Sequence, residues 1–236
     1  MKICNDCPRK CGAIRTEKEG NGFCGVGTLP IVAKASIHHW EEPCISGASG
    51  SGTIFFSSCN LKCVFCQNEA ISFKKKGKML SVDELISLYQ ELERKGACNI
   101  NLVTAGHFTD AIVESLSRYQ PSVPVLYNSS GFEEVETLGR LSGLVDVYLP
   151  DLKYIDSKKA KRYANAENYF EVASTAIEEM VRQTGKPYFN EDGLIERGTI
   201  VRHLILPENT NDAIRILDWL EEQFGDTILV SVMGQY

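Results

Sequence analysis

Cys59-Asn60-Leu61-Lys62-Cys63-Val64-Phe65-Cys66 holds three cysteines separated by three and two residues, directly after the strand signal Thr53-Ile54-Phe55-Phe56. Thiolates this close in sequence can wrap one metal centre, because every ligand comes from the same loop. Three thiolates are one fewer than a closed four-iron cluster takes, so one iron is left for a ligand that is not protein. A structural zinc site or separate reactive thiols would also use cysteines, and the surrounding chain has to decide between them.

From Gly52 onward the chain alternates strands and helices. Ser81-Val82-Asp83-Glu84 reads as a capping box. Val82, Leu85, Ile86, Leu88, Tyr89 and Leu92 then form one apolar helix face, and Gly96 ends the helix. A strand over 99–104 and a helix near 110–119 follow, then a strand over 123–128 and a helix carrying Val135, Leu138 and Leu141. The fourth strand is 145–149. A long helical region follows, with Tyr169, Val172, Ala173, Ala176, Ile177, Met180 and Val181 at helical spacing and Gly185 at its end. The fifth strand is 198–206, then come a helix over 213–224 and a sixth strand over 228–232. Continuous β-branched strands between amphipathic helices predict a parallel sheet covered by helices, an α/β fold that is either an open sheet or a partial (βα)6 TIM-like barrel. In both, reactive groups gather on the loops after the strand C-terminal ends.

The polar residues sort in that way. The cysteine triplet follows the first strand, Thr104-Ala105-Gly106-His107 the second, Asn128-Ser129-Ser130 the third and Asp151-Leu152-Lys153 the fourth, while Arg202 and His203 lie within the fifth. Each alone reads as a loop or cap residue; Asp151 and Lys153 also read as a surface ion pair. His107 and His203 read as hydrogen-bonded structural histidines. The glycine-rich stretch 47–52 precedes a strand instead of joining strand to helix, so it reads as a lid or hairpin rather than a phosphate cradle.

The 236 residues, 43% hydrophobic and 24% charged, suit a globular protein of one large domain plus a small appendage. A net charge of −6 argues against nucleic acid as a partner, and the run Lys74-Lys75-Lys76 with Lys78 reads as a solvated loop. No run of about eighteen apolar residues and no secretory h-region occur, so no membrane span is expected and the location is expected to be cytoplasmic. The nine cysteines are then expected to be reduced.

Residues 1–45 carry five of those cysteines and few periodic apolar residues, which predicts a small cysteine-rich N-terminal module packed on a main domain over 46–236. Cys4, Cys7, Cys11 and Cys24 offer four thiolates, enough for zinc or for a second iron–sulfur cluster, and Cys44 could replace one of them. Cys98, beside a strand, reads as a buried thiol without a role.

The triplet with its aromatic Phe65, placed after a first strand, resembles the radical S-adenosylmethionine (radical SAM) superfamily, and the resemblance runs from about Ile45 to Tyr236. Trp40-Glu41-Glu42-Pro43-Cys44-Ile45-Ser46-Gly47, Gly50-Ser51-Gly52-Thr53-Ile54-Phe55-Phe56 and Cys66-Gln67-Asn68-Glu69-Ala70-Ile71-Ser72 resemble its uncharacterised pyruvate formate-lyase activating enzyme-like branch. The resemblance implies a [4Fe-4S] cluster on Cys59, Cys63 and Cys66, whose open iron chelates the amino and carboxylate groups of SAM. One electron from the cluster then breaks the sulfonium bond, and the 5′-deoxyadenosyl radical that forms abstracts a hydrogen atom. Thr104, Ala105 and Gly106 stand in place of the glycine-rich loop that receives the SAM amino group; the usual Gly-Gly-Glu is missing, so backbone carbonyls would serve there, with help from His107. Asn128 and Ser129 resemble ribose and carboxylate contacts, and Asp151-x-Lys153 resembles a motif of glycyl-radical activating enzymes beside SAM. Arg202 matches a basic residue that pairs the SAM carboxylate.

These readings lead to an oxidoreductase with SAM, an electron donor of flavodoxin or ferredoxin type and a glycyl-radical enzyme as partners. Radical modification of a small molecule, peptide or lipid is a second reading. A non-catalytic iron–sulfur or zinc scaffold is a third, disfavoured because a scaffold has no need of polar groups at every strand end. The chain stops soon after the sixth strand, which raises three expectations: a short family member, a mouth completed by a partner chain, or a truncated chain.

Overall fold

The computed structural model describes residues 2–234; Met1, Gln235 and Tyr236, on which the reading of the chain end falls, lie outside the described residues. Strands β1 (Lys2–Cys4) and β2 (Ala13–Arg15) form an antiparallel ribbon. Strand β3 (Ile31–His38) leads through a single helical turn, α1 (Pro43–Ser46), into β4 (Ser51–Phe56). After the cysteine stretch come α2 (Glu69–Ser72), β5 (Lys78–Met79) and α3 (Val82–Arg94). The alternation continues with β6 (Ile100–Val103), α4 (Thr109–Arg118), β7 (Val125–Ser129), α5 (Val135–Gly139) and β8 (Val147–Pro150). Helices α6 (Ser157–Ala164) and α7 (Tyr169–Thr184) lead to β9 (Tyr188–Phe189) and β10 (Ile195–Leu204), then α8 (Thr210–Phe224) and β11 (Leu229–Met233).

The main sheet has the order β11-β10-β8-β7-β6-β4-β3-β5. From β4 to β11 every neighbouring pair is parallel, and these are the six strands expected from the alternation. Every residue of β6, β7 and β8 is buried, because helices cover one face and the concave interior fills the other. The barrel is partial: β11 at one edge and the antiparallel β3 and β5 at the other do not meet.

The expected capping box is present: Glu84 N donates to Ser81 Oγ at 3.2 Å and Ser81 N donates to Glu84 Oε2 at 2.9 Å. Leu85, Tyr89 and Leu92 of that face are buried in the largest core cluster, with Ile54, Leu102 and Tyr127. A second cluster joins Leu61 of the cysteine stretch to Tyr169, Ala173 and Ile177 of α7. The third lies within the concave interior, where Leu126, Val147, Leu149 and Ile200 meet Ile45.

Several elements differ from expectation. Ile31–His38, inside the segment read as loop-rich, is an eight-residue strand pairing antiparallel with β4. Its outer half is only partly buried, so it lacks the continuous apolar run that marks the parallel strands. Gly47 and Gly50 lie in the connection of this β3–β4 pair, and Gly52 lies in β4 opposite Ile37, as the hairpin reading has it. The long helical region after the fourth strand breaks into α6 and α7 at Asn165, whose φ of 48° is left-handed.

Candidate functional site

Inside the sheet, side chains alternate between faces, so a polar residue two positions past a core residue points the same way. Leu126 is followed by Asn128, Leu149 by Asp151 and Ile200 by Arg202, which puts polar groups directly above the apolar floor. There the barrel opens into a cavity of about 390 Å³, within the range of small-molecule and cofactor sites. Cys59, Cys63 and Cys66 form part of its wall, with Asn128, Asp151 and Arg202 on another part. The strand-end location read from the sequence is thus one physical space.

Arg202, partly buried with 15% side-chain exposure, makes three side-chain contacts. Its Nε donates to Asp151 Oδ1 at 3.1 Å, its Nη2 to Asn128 Oδ1 at 2.7 Å and its Nη1 to Glu41 Oε2 at 3.5 Å. Lys153 Nζ takes the other Asp151 oxygen at 2.5 Å. Burial alone would raise the Asp151 carboxyl, but the Lys153 and Arg202 cations outweigh it and hold the group below the usual carboxylate range. Burial likewise opposes the charge on Lys153, and Asp151 outweighs it, so the ammonium is held charged. Glu41 lies at the outer end, raised by burial against the pull of Arg202. Asp151 and Lys153 are therefore a part-buried pair on the cavity wall rather than an exposed surface pair.

Phe65 lines the same cavity, its ring edge-on to Tyr154 and Tyr163 at 6.2 and 6.1 Å. Thr104 also lines it, held at a left-handed φ of 61° while its N–H donates to Asn128 O at 2.8 Å. Ser129 lies on the wall, and its Oγ accepts from Gly131 N at 3.1 Å. Ala105 and Gly106 stand apart from it: Ala105 is packed in the largest core cluster, and Gly106 opens a single 3₁₀ turn against the Glu133 carboxylate. Of the expected glycine-loop segment, the cavity wall includes Thr104 alone. His107 Nε2 meets Ser57 O at 2.8 Å and His203 Nδ1 meets Leu152 O at 2.6 Å, each pairing with a backbone carbonyl as structural histidines do. Burial lowers both, His107 to about 4.

Sequence reading missed Glu41 and Glu133. Glu41 lies inside the quoted stretch 40–47, but nothing local shows that it reaches Arg202, 161 positions away. Glu133 is buried, and its Oε2 has no hydrogen-bond partner.

The donor set fits a thiolate-bound cluster. Burial pushes the Cys59 thiol up to about 11 and raises Cys63, so a metal would have to displace their protons. Leu61 N donates to Cys59 Sγ at 3.3 Å and Ser72 Oγ to Cys66 Sγ at 3.2 Å, bonds of the kind that stabilise bound thiolates. The buried Tyr154 hydroxyl has no satisfied hydrogen bond although it is within reach of Cys63, and a thiolate there would be its acceptor. Among the described residues, no three His, Cys, Asp or Glu side chains converge to hold a single metal ion. A cluster differs, because each thiolate takes a different iron.

The N-terminal cysteines lie behind this loop. Cys4 is buried beside Asp6 and Arg15, with its Sγ 3.5 Å from Asp6 Oδ2 and 3.6 Å from Arg15 Nη1. Burial pushes the Cys7 thiol up to about 12, with Glu133, Cys4 and Cys24 adding to the rise. Cys24 is half-buried, and its carbonyl accepts from Ser58 Oγ at 2.5 Å; Cys11 is exposed. Cys44 is packed elsewhere, beside the interior cluster. Cys98 is half-buried and directs its thiol at Ile45 O, 3.0 Å away.

Comparison with known proteins places the chain among relatives. Residues 53–220 match the family model described as the radical SAM superfamily. An uncharacterized protein of Methanocaldococcus jannaschii is 29% identical over 247 residues, and the chain spans 66% of that protein's length. Among solved structures, HydG, a maturase of the [FeFe]-hydrogenase, superposes with a TM-score of 0.53 at 16% identity, over 75% of this chain and 41% of HydG. SuiB of Streptococcus suis bound to S-adenosylmethionine gives 0.48 at 14% identity, over 76% of this chain and 39% of SuiB. The HydG likeness shows the shared fold, and the match over 53–220 decides the family: this chain belongs to the radical SAM superfamily.

Proposed function

We propose that the chain is the catalytic core of a radical SAM enzyme, with Cys59, Cys63 and Cys66 as cluster ligands and the adjoining cavity as the SAM site. The carrying observation is the shared space: the three cysteines and the Asp151–Lys153–Arg202–Asn128 array border one cavity. When bound, the cluster and SAM supply one-electron cleavage of the sulfonium and a carbon radical able to abstract hydrogen.

The protein's part is binding, orientation and exclusion of water. Asp151 aligns Lys153 and Arg202, and Arg202 in turn holds the Asn128 amide, so ribose and amino-acid contacts share one rigid anchor. Thr104, Ser129 and Phe65 complete the wall. The Asp151-x-Lys153 pair supports a finer reading, the abstraction of hydrogen from a glycyl-radical enzyme, with a flavodoxin or ferredoxin as electron donor and a cytoplasmic setting. We read Cys4, Cys7, Cys11 and Cys24 as ligands of a second metal centre, an iron–sulfur cluster or zinc.

Anaerobic reconstitution with iron and sulfide, followed by reductant and SAM, tests the reading. Methionine and 5′-deoxyadenosine are expected from the wild type and not from a Cys59/Cys63/Cys66 triple alanine variant. A reconstituted cluster that yields neither product would overturn the enzymatic reading. Residual iron in the triple variant measures the second cluster, and residual zinc without iron would exclude it.

A further inference from the structure

Arg9 belongs to the N-terminal segment, yet its guanidinium is spent on the back of the cysteine loop. Nε donates to Asn60 O at 2.8 Å, and Nη2 donates to Leu61 O at 3.4 Å and to Ala164 O at 2.8 Å. Nη1 donates to Asn165 O. Guanidinium has five N–H donors in a flat fork and no acceptor, which suits it to a ring of carbonyls. Two of those carbonyls, at Ala164 and Asn165, end α6, where helix carbonyls have no partner of their own and a cation is favoured.

The plane of the group is held as well. Its central carbon is 4.2 Å from the Phe23 ring centroid and 5.3 Å from that of Phe132. Both phenylalanines are tied to the same loop, since Lys62 Nζ donates to Phe23 O at 2.8 Å and Asn60 Nδ2 to Phe132 O at 2.8 Å. The end of α6 is joined to the loop a second time, through Val64 N and Tyr163 O at 2.9 Å. Arg9 therefore straps the segment between Cys59 and Cys63 to the helix behind it, and it does so without bordering the cavity.

We propose that Arg9 is a positioning residue for the cluster, holding the loop so that the thiols keep their spacing and setting a fixed positive charge behind Cys59 and Cys63. Burial lowers the Arg9 group against the partial support of Cys7, Cys59 and Cys63, and a guanidinium stays charged all the same. A fixed cation favours the reduced cluster, which carries one more negative charge, and so raises its reduction potential. The inference rests on the reading of Cys59, Cys63 and Cys66 as cluster ligands.

The test uses the full chain, reconstituted anaerobically, as wild type, R9A, R9K and R9Q. Iron and sulfide retained after a mild chelator challenge are counted, and the midpoint potential is read from the reduced-cluster EPR signal that changes on adding SAM. R9A is expected to hold iron roughly 10-fold or more less tightly, the range for lost outer-shell support. R9K keeps the charge without the fork, so weakened retention with a near wild-type potential is expected. R9Q loses the charge, and a more negative potential is expected in whatever cluster it retains. Circular dichroism of the metal-free variants controls for folding; if R9A does not fold, R9K and R9Q carry the comparison. Wild-type retention and potential in every folded variant would overturn the inference. A wild type that binds no SAM-responsive cluster would instead overturn the reading beneath it.

Discussion

Arg202 Nε stands 3.1 Å from Asp151 Oδ1, and this contact closes the gap between the C-terminal ends of β8 and β10. The backbones bridge at the same two residues, and Leu152 N donates to Arg202 O at 2.8 Å. Removing one partner of a buried pair leaves an uncompensated charge, which costs more than the pair itself contributes. Here Asp151 carries one negative charge between two cations, so D151N leaves Lys153 without its anion and Arg202 with only the 3.5 Å ionic contact to Glu41.

D151N is expected to destabilise the metal-free chain by about 3–5 kcal/mol in urea unfolding. SAM affinity of the reconstituted protein should also fall, because Asn128 and Lys153 lose their common anchor. Equilibrium dialysis against labelled SAM reads the second effect. Unchanged stability and unchanged affinity together would show that the array is incidental.

Y154F separates the metal-free and loaded states. Without metal the Tyr154 hydroxyl is buried and unsatisfied, so its removal should be neutral or stabilise by about 1–3 kcal/mol. With a cluster bound, the same change removes an O–H donor to Cys63, and the midpoint potential should move negative. An equal effect on both states would argue against a bond to the thiolate.

Gly131 follows β7 at a φ of 75°, and a Cβ there would lie 2.3 Å from Asp151 O. That carbonyl also accepts from Tyr169 Oη at 2.8 Å, so it has little freedom to withdraw. G131A is expected to cost at least about 1–3 kcal/mol from backbone strain alone, and to weaken SAM binding by displacing Asp151. A variant with wild-type thermal stability and SAM affinity would contradict this.

Two buried groups set the pH dependence of folding. Burial raises the Glu133 carboxyl to about 8, so the unfolded chain releases this proton first as pH rises. The stability contributed by Glu133 should therefore decline from about pH 4.5 to pH 8 and level off above, opposed below about pH 6.5 by His107. Burial lowers His107 to about 4, so the unfolded chain takes up that proton first, and stability should decline as pH falls from about 6.5 to 4. E133Q should flatten the alkaline limb, gaining roughly 2–4 kcal/mol over wild type at pH 8 and little at pH 4.5. Urea unfolding of both proteins across this range, under reductant, checks it; parallel curves would remove Glu133 as the cause.

What the sequence carried on its own were the periodic and local features. Alternating β-branched strands and amphipathic helices imply a parallel sheet, because only a covered sheet can bury strands on both faces. The cysteine spacing, the Ser81–Glu84 box and the strand-end polar residues are also local, so each could be read within a few positions. The β3 strand was hidden because its half-exposed residues show neither a buried run nor clean alternation, and its pairing with β4 alone makes it a strand. Tertiary structure alone decided how distant residues share charge and donors: Glu41 reaches Arg202, Arg9 spans from the N-terminus to the cysteine loop and α6, and Glu133 is buried against Gly106. Those contacts depend on strand order and on which side chains exclude water together, and linear spacing encodes neither.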